Sequence, residues 1–363
     1  MDFIDLKAQN RRLRDQINTA INRVMDHGRY IMGPEVQELE QKLAEYVGAD
    51  HCISCGNGTD ALQLALMALK IGPGDEVITS SFSFMATSEV IGLLGATPVF
   101  VDIDPETFVI DIEQAAQACT AKTKAIIPVS LYGMPVDIEA LRSLVDNPRI
   151  KIIDDGAQSF GSQVNGKTNA SVADIGATSF FPTKPLGCYG DGGALFTNDE
   201  VIAHELKILR IHGQNKRYYQ KIIGVNSRLD TVQAAILLSK FSVFEEELSL
   251  RQQVRSDYDH NLPDDVKIPF VPQNYLHSFG QYSILTEDRE KLQSYLKEFG
   301  IPTIVYYPVL LHEQEAMRSR SKVVGTLENS KYVVDRVLSL PMSPYLSAED
   351  QSLVCEKIRM FFS

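Results

Sequence analysis

The sequence has no long apolar run and no excess of positive charge. No stretch approaches the ~18 uninterrupted apolar residues of a membrane-spanning helix, so we expect no membrane span. The 35 lysines and arginines are outnumbered by 47 aspartates and glutamates, which gives a formal net charge of −12. Because binding to a nucleic-acid backbone needs a concentrated basic face, this balance disfavours nucleic acid as a partner. An anionic small ligand would have to be held by local donors.

Cysteine is also scarce, with five residues scattered along the chain. An odd, scattered set is more typical of reduced thiols than of a disulfide framework. Cys52 and Cys55 have the spacing of a redox or zinc pair, but no second pair or paired histidine completes a tetrahedral set. We therefore expect no metal. The N-terminal residues lack the basic region and apolar run of a secretory signal, so we expect a cytoplasmic protein.

Length and composition indicate a globular protein with two domains. A single core usually stops growing near ~250–300 residues, and this chain has 363. Hydrophobic residues make up 44% and charged residues 23%, far from the values of disordered chains. Pro263, Pro269 and Pro272 mark a change of pattern late in the chain. We predict a large cofactor-binding domain over residues 1–240, with N-terminal helices, and a smaller C-terminal α/β domain over 241–363.

The apolar pattern predicts two N-terminal helices followed by alternating strands and helices. The predicted strands lie near residues 51–54, 76–79, 98–102, 124–130, 151–154, 175–181 and 194–197, and the helices between them near 59–69, 86–94, 112–119 and 137–145. Continuous apolar strands separated by helices predict an α/β fold with a mostly parallel sheet covered on both faces. Later in the chain we predict one long helix reaching about residue 255 and a strand over 301–308.

The segment Thr178–Gly193 places a lysine on a tight connection between two predicted strands. Pro182 and Pro185 bracket Lys184 and restrict the backbone, while four glycines allow a ligand to approach the main chain. One role that needs such a rigidly placed amine is Schiff-base formation with an aldehyde cofactor, for which the lysine must lose its proton. The alternative is an ordinary solvated loop lysine.

Three further groups follow predicted strands, at the sheet edge where ligands bind. Gly56–Asp60 opens a helix, so its amides and the Thr59 hydroxyl can hold a phosphate, although such a sequence is also an ordinary N-cap. Phe82–Phe84 offers an aromatic face to a planar ring or to the core. Asp154–Gln158 supplies a strand-end carboxylate or a helix cap. Together with the lysine, these are the parts that pyridoxal 5′-phosphate requires.

Seven motifs stand in order along the chain: Gly33-Pro-Glu-Val, Gly58-Thr-Asp-Ala-Leu, Gly74-Asp-Glu-Val, Asp155-Gly-Ala-Gln, the run from Ser179 to Lys184, Gly190-Asp-Gly-Gly and Asn226-Ser-Arg-Leu-Asp. This ordered set resembles the DegT/DnrJ/EryC1/StrS sugar aminotransferases. Members of that family are fold type I pyridoxal-phosphate enzymes that act on nucleotide-linked keto sugars. The resemblance runs from about Asp5 to Tyr345, nearly the whole chain.

The resemblance implies a role for each residue of the cofactor site. Lys184 would form the Schiff base, and Asp155 would pair with the pyridine nitrogen. Gln158 would contact the ring oxygen of the cofactor, and Phe84 would stack on the ring. The phosphate would be held by Gly58, Thr59, Ser179 and, from the neighbouring subunit of a homodimer with shared active sites, Asn226.

The resemblance also implies a substrate. The run that carries Lys184 is most similar to the branch that aminates C3 of UDP-2-acetamido-2-deoxy-3-oxo-glucuronic acid with L-glutamate as donor. That branch makes 2,3-diamino sugars for bacterial surface polysaccharide such as O-antigen. The alternative is a C3 or C4 aminotransferase acting on a dTDP- or UDP-linked keto-6-deoxy sugar.

Arg228 is the candidate for the carboxylate of such a sugar, because its planar fork can bind a carboxylate bidentately. The alternative for Arg228 is a salt bridge to Asp230 or another acidic neighbour. The other candidate substrate contacts are Tyr30, Tyr306 and Tyr307.

Three positions depart from the family pattern. Tyr306 and Ser343 stand where relatives often have histidine, and Gly156 replaces a usual alanine. The first two bear on the sugar more than on the chemistry. Family members that dehydrate sugars carry histidine in place of the lysine, so Lys184 argues against dehydration. A non-catalytic ligand-binding or regulatory protein is a third possibility, and the complete cofactor set argues against it.

Overall fold

The computed structural model describes all residues, 1–363, as alternating helices and strands. The helices are α1 (Leu6–His27), α2 (Pro34–Val47), α3 (Gly58–Ala68), α4 (Ala86–Leu93), α5 (Ile112–Gln117), α6 (Ile138–Val145), α7 (Asn169–Val172), α8 (Glu200–Leu209), α9 (Thr231–Phe241), α10 (Phe244–Asn261), α11 (Arg289–Glu298), α12 (Glu328–Arg336) and α13 (Ala348–Phe362). The strands are β1 (His51–Cys55), β2 (Glu76–Ser80), β3 (Thr97–Val101), β4 (Thr123–Ile127), β5 (Lys151–Asp155), β6 (Gln163–Val164), β7 (Ile175–Ser179), β8 (Gly193–Thr197), β9 (Gln214–Lys216), β10 (Tyr219–Gln220), β11 (Tyr275–Leu276), β12 (Tyr282–Leu285), β13 (Lys322–Val323) and β14 (Val337–Leu340).

An eight-stranded sheet organises the molecule, in the order β1-β8-β7-β5-β4-β2-β3-β13. Only β8 runs antiparallel to its neighbours, β1 and β7. The prediction of a mostly parallel α/β sheet is therefore confirmed, and the predicted strands from residue 51 to 197 differ from the observed ones by a few residues at most. None of the helices combines the length and apolar character that crossing a bilayer requires.

The sheet is covered on both faces because successive strand residues point to opposite sides. In β2, Val77 packs into a core beneath α3, α4 and α8, whereas its neighbour Ile78 packs into a second core beneath α5 and α6. In β8, Leu195 faces the first core and Phe196 faces a third, which α2, α9 and α10 close. The continuous apolar runs of these strands are thus explained by burial on both faces.

The single long helix predicted to reach residue 255 is wrong. Two helices occupy this stretch, and Ser242 and Val243 separate them, with Val243 at φ −117° and ψ 5° outside helical geometry. The break lets α10 serve two cores, since Phe244 packs against the large sheet and Tyr258 packs in the C-terminal part. Apolar periodicity continues across the break, which is why the sequence pattern conceals it.

The strand predicted over 301–308 is also wrong. Only Ile304 pairs with another strand residue, in an isolated antiparallel bridge to Ser339. Pro302 has no amide hydrogen to donate to a ladder, so strand pairing cannot extend from Ile304 toward the start of this segment.

The C-terminal part of the chain has its own core around the antiparallel pair β12 and β14, packed with α10, α11 and α13. It also returns to the large sheet, because β13 forms the edge strand beside β3. The division into 1–240 and 241–363 stays a prediction, and α10 is the element that packs on both sides of it.

Candidate active site

A cavity of about 570 Å³ lies at the carboxyl ends of β1, β2, β5 and β7. Its walls are the segments that follow these four strands, together with residues from the C-terminal part of the chain. The predicted site residues that line it are Gly58, Thr59, Phe84, Asp155, Gln158, Ser179, Lys184, Tyr306 and Tyr307. Residues far apart in sequence are therefore gathered at the edge where parallel sheets bind ligands.

Lys184 lies on the lysine loop, Phe180–Gly192, which connects β7 to β8 as the sequence predicts. The loop closes on itself, since the Phe180 N–H donates to the Gly192 carbonyl at 2.8 Å and the Cys188 N–H donates to the Phe180 carbonyl at 2.8 Å. Gly187 permits this closure, because a Cβ there would stand 2.6 Å from the carbonyl oxygen of Phe181. These internal hydrogen bonds fix the main chain of the loop and therefore the position of the Lys184 Cα.

Burial makes the Lys184 amine a weaker base than a solvated lysine. Removal from water lowers its pKa to about 8, while the negative charge of Asp155 opposes that shift. A pKa near 8 leaves a useful fraction of neutral, nucleophilic amine at neutral pH. The electrostatics are those expected of a reactive amine rather than of a solvated loop lysine.

Asp155 ends β5 and is 5% exposed. Its carboxylate accepts a hydrogen bond from the Thr87 hydroxyl at 2.6 Å and one from the Ala157 N–H at 3.2 Å. Burial raises the pKa of Asp155, whereas these two donors and the nearby Lys184 amine favour the charged form and limit the rise. The two hydrogen bonds thus favour the ionised form of the Asp155 carboxylate next to the lysine.

Thr87 is a site residue that sequence reasoning missed. It lies on α4, 68 residues from Asp155, and is 1% exposed. A threonine inside an apolar helical pattern carries no signal of a polar contact, so only the packing of α4 against the end of β5 reveals it.

The N-terminus of α3 offers unpaired donors to the cavity. The Asn57 side chain caps the helix by accepting from the Asp60 N–H at 2.8 Å, and the main-chain N–H groups of Gly58 and Thr59 have no acceptor within the chain. Gly58 also packs closely on Ser179, because a Cβ there would stand 2.7 Å from the Ser179 Cβ. Free helix-start amides beside a serine form an anion site.

Aromatic side chains form another wall of the cavity. Phe84 is 54% exposed and its ring lies 5.7 Å from the ring of Tyr307, at an angle of 37°. Phe82, two residues earlier, is buried in a core instead. Gln158 is held in place from both ends, since its amide donates to the Tyr307 hydroxyl at 3.2 Å and accepts from the Tyr132 N–H at 2.9 Å.

Two buried polar atoms in the cavity wall have no partner. These are the Ser83 hydroxyl oxygen and the Gln281 side-chain oxygen. Buried polar atoms are nearly always hydrogen-bonded in native proteins, so these two are suited to bind a ligand. Sequence reasoning missed both, because serine and glutamine in these contexts are indistinguishable from surface residues.

Asn226, Arg228 and Tyr30 do not line the cavity of their own chain. Tyr30 lies beside the residues that follow Arg228, because the Thr231 N–H donates to the Tyr30 carbonyl at 2.9 Å and Ile31 bridges to Asp230, whereas Asn226 bridges to Ile211. Asn226 and Tyr30 are exposed.

The alternative salt bridge between Arg228 and Asp230 does not form. Arg228 is partly exposed and makes no ion pair with any carboxylate of the chain. The guanidinium is therefore available to another molecule.

Cys52 and Cys55 are buried free thiols of β1. Burial raises the pKa of both thiols, which is the opposite of what a reactive redox cysteine needs.

Comparison with known proteins identifies relatives along the whole chain. A model of the DegT/DnrJ/EryC1/StrS aminotransferase family matches residues 11–359. A Pseudomonas aeruginosa protein named UDP-2-acetamido-2-deoxy-3-oxo-D-glucuronate aminotransferase is 49% identical over 98% of this chain and 98% of its own length. A Geobacillus stearothermophilus protein named pleiotropic regulatory protein is 44% identical over 99% of this chain and 98% of its own.

Two solved structures are similar to this chain over nearly its whole length. A DegT DnrJ EryC1 StrS aminotransferase from Brucella abortus is 45% identical with a TM-score of 0.96, covering 99% of both chains. The NtdA protein of Bacillus subtilis, solved with bound cofactor PMP, is 30% identical with a TM-score of 0.89, covering 96% of this chain and 81% of that one.

Proposed function

Because the chain belongs to the DegT/DnrJ/EryC1/StrS aminotransferase family, we propose that it is a pyridoxal-phosphate-dependent transaminase of a nucleotide-linked keto sugar. The observation that carries the proposal is the cavity that joins Lys184 and Asp155 to the free amides of α3. A lysine, a buried anion and an anion site within one cavity are what the cofactor requires.

The residues fit pyridoxal 5′-phosphate by their chemistry. Its phosphate would lie against the N–H groups of Gly58 and Thr59 and the Ser179 hydroxyl, where α3 begins. Its ring would lie beside Phe84, with the protonated nitrogen directed to the Asp155 carboxylate and the ring oxygen to Gln158. All six of these residues line one cavity.

When bound, the cofactor supplies an aldehyde that bonds amines and a ring that withdraws electrons from the adjacent carbon. Lys184 would hold it covalently until the amine of the amino donor takes the lysine's place, and the released Lys184 amine would then be free to carry protons. Its neutral amine would take the proton from Cα of the amino donor, and as an ammonium it would deliver a proton to the sugar carbon that receives nitrogen. Thr87 and Ala157 donate to Asp155 and so favour its charged form against the effect of burial, which raises its pKa.

The sugar we propose is UDP-2-acetamido-2-deoxy-3-oxo-D-glucuronate, aminated at C3 with L-glutamate as donor, for bacterial surface polysaccharide such as O-antigen. Support comes from the Pseudomonas relative, whose name states this keto sugar and which matches nearly end to end. The absence of a membrane-spanning helix fits our further proposal of a cytoplasmic enzyme supplied with soluble substrates.

Charge in the cavity supports a homodimer with shared active sites. Among the lining residues, three carboxylates, Asp60, Asp155 and Asp191, accompany a single cation, Lys184. A cofactor phosphate and a UDP-sugar with a carboxylate add several negative charges, which need cations and donors to offset their desolvation. Asn226, Arg228 and Tyr30, which do not line the cavity of their own chain, would supply these from the neighbouring subunit. Tyr306 and Tyr307 would contact the sugar nucleotide from within the chain.

Comparing two sugars in two proteins tests the substrate. Wild type and Arg228→Lys are given the UDP-3-keto sugar with the C6 carboxylate and its 6-hydroxymethyl counterpart. We expect wild type to prefer the uronic acid and Arg228→Lys to lose most of that preference, since lysine cannot offer the planar fork. Equal use of both sugars by wild type contradicts the proposal.

The Geobacillus relative's name makes a regulatory, non-catalytic protein the second candidate. Retention of Lys184 and Asp155 in one cavity favours the enzyme. An assay of amino transfer distinguishes the two candidates, because a purely regulatory protein would not aminate any of the keto sugars.

A further inference from the structure

Helix α9 turns two polar side chains toward the lysine loop. Gln233 and Lys240 are seven residues apart, which places them on the same side of the helix, two turns from each other. Between them, the buried apolar residues Ala234 and Leu237 of α9 pack in the third core. These two polar side chains reach the stretch of the loop that directly follows Lys184.

Each of the two side chains binds the main chain of the loop. The Lys240 ammonium donates to the Gly187 carbonyl at 2.6 Å. The Gln233 amide makes a pair of bonds with Tyr189, accepting from its N–H at 2.9 Å and donating to its carbonyl at 3.2 Å. Main-chain partners make these contacts independent of the loop's side chains, so they fix the path of the backbone itself.

Further contacts involve Tyr189 and the next loop residue, Gly190. The Lys240 nitrogen lies 4.4 Å from the centre of the Tyr189 ring, a cation–π contact. From α1, the Asn10 amide donates to the Tyr189 hydroxyl at 2.9 Å. Glycine at position 190 suits this close approach, since a Cβ there would stand 3.1 Å from the Gln233 nitrogen and the Gln233 side chain would have to shift.

Burying the charged amine of Lys240 costs free energy, which an apolar residue that only filled the same space would not cost. It is 1% exposed, and burial lowers its pKa to about 8 despite the opposing charge of Glu247. Burying a charge rarely adds stability over an apolar residue of similar size, and such groups are better explained by the specific geometry that they impose. A methionine would fill the space on α9, but it could not hold the Gly187 carbonyl.

We propose that Gln233 and Lys240 are positioning residues that fix the turn after Lys184 and thereby hold its amine beside Asp155. The inference rests on the proposed function, in which Lys184 is the residue that reacts. Neither side chain lines the catalytic cavity, so both act through the loop backbone. Without them the loop can still close through its internal bonds, but it loses its hydrogen bonds to α9.

Amide hydrogen exchange of the protein without added cofactor tests the proposal. Lys240→Met removes the donor and keeps an unbranched stem, Lys240→Arg keeps a cationic donor, and Gln233→Leu removes both bonds to Tyr189. Ile236→Ala is the control, because this buried residue of α9 packs against α1 and not against the lysine loop.

We expect peptides covering residues 184–190 to exchange about tenfold faster in Lys240→Met and in Gln233→Leu, as loss of such hydrogen bonds implies. Lys240→Arg should recover much of the protection, and Ile236→Ala should leave the loop unchanged while α9 and α1 exchange faster. Unchanged loop exchange in both Lys240→Met and Gln233→Leu overturns the proposal. Equal acceleration in Ile236→Ala also overturns it, since that result would reflect general loosening of α9.

Kinetics separate a positioning role from a merely structural one. In Lys240→Met, kcat should fall about tenfold while KM for the amino donor stays within about twofold, because the loop and not the donor site is disturbed. Unchanged kcat despite faster loop exchange contradicts the positioning role. If wild type transfers no amino group at all, the proposed function fails, and the exchange measurement still decides whether α9 anchors the loop.

Discussion

Two adjacent aspartates on β5 meet different environments because neighbouring strand residues face opposite sides. Asp154 points away from the cavity, where Ser130 and Asn169 donate to it and burial raises its pKa to about 7. Asp155 points into the cavity, where Thr87 donates and a lysine amine lies nearby. The sequence shows a pair of carboxylates at a strand end, and only the pleat separates the structural one from the functional one.

Thr87→Val should slow amino transfer through Asp155. The change removes the 2.6 Å hydrogen bond and keeps the volume, so the ionised carboxylate loses about 1.5–3 kcal/mol of stabilisation. We expect kcat to fall about tenfold or more. Thr79→Val is the matched control, since Thr79 is also buried and donates to a main-chain carbonyl of β4 instead. Similar losses in both variants would show a general packing defect and contradict the role of Thr87.

The reactivity of Lys184 should depend on pH through its lowered pKa. Protonated below and neutral above about pH 8, the amine should bond pyridoxal 5′-phosphate at a rate that rises with pH and reaches half its maximum near that value. Borohydride trapping at a series of pH values, followed by peptide mass analysis, measures the rate. A midpoint near the ordinary lysine value of 10.5 would show a solvated amine, and labelling of Lys184→Ala at wild-type yield would identify a different residue.

Among the elements, α3 shows how a short motif positions a ligand site. Asn57 caps the helix, so the donors of Gly58 and Thr59 stay free, and the preceding strand directs them to the cavity. The sequence predicts this arrangement because strand, glycine-containing turn and helix start are all local signals. Gly58 adds a requirement that no local signal contains, namely close contact with Ser179 of β7.

Gly58→Ala should weaken cofactor binding. The added methyl would stand 2.7 Å from the Ser179 Cβ, so α3 or the end of β7 must move and the phosphate donors lose their alignment. We expect the dissociation constant for pyridoxal 5′-phosphate, measured by absorbance titration, to rise about tenfold or more. Gly72→Ala is the control, because its nearest contact is at 3.8 Å. Equal affinity in Gly58→Ala and wild type would show that this helix start does not hold the phosphate.

Where prediction of the elements failed, long-range packing decided the outcome. The break at Ser242 and Val243 lets α10 reach the core of the C-terminal part of the chain, and no proline or glycine marks it. Residues 301–308 are apolar enough for a strand, but their partners are positioned by tertiary structure and only Ile304 pairs. The strands of the large sheet were predictable because a strand that is buried on both faces has a continuous run of apolar residues.

At the scale of the whole molecule, the sequence predicts most of the residues that line the cavity, but it does not show whether one subunit supplies every donor that the ligands need. The strand-end rule gathers the cofactor residues, whereas Thr87, Ser83 and Gln281 become visible only in three dimensions. The segment with Asn226 and Arg228 lies outside the cavity of its own chain. A single subunit therefore lacks donors that the proposed ligands require, which is the reason to expect a dimer.

Hybrid dimers test that expectation. Lys184→Ala and Asn226→Ala should each be severely impaired alone. If each site takes its lysine from one subunit and its asparagine from the other, a hybrid carries one intact site, and random mixing restores about a quarter of wild-type activity. Subunit exchange is verified by native mass spectrometry of differently tagged chains. No recovery despite exchange would place Asn226 in the site of its own subunit or outside any site.

The central claim is that the Lys184 cavity moves an amino group from glutamate to a UDP-linked keto sugar. The most direct measurement is mass spectrometry of the sugar nucleotide after incubation of the protein and pyridoxal 5′-phosphate with ¹⁵N-labelled L-glutamate and UDP-2-acetamido-2-deoxy-3-oxo-D-glucuronate. We predict ¹⁵N in a new amino group at C3, formed together with 2-oxoglutarate in equal amounts, and none with Lys184→Ala. Unlabelled sugar with wild type, or equal labelling with Lys184→Ala, would contradict the claim.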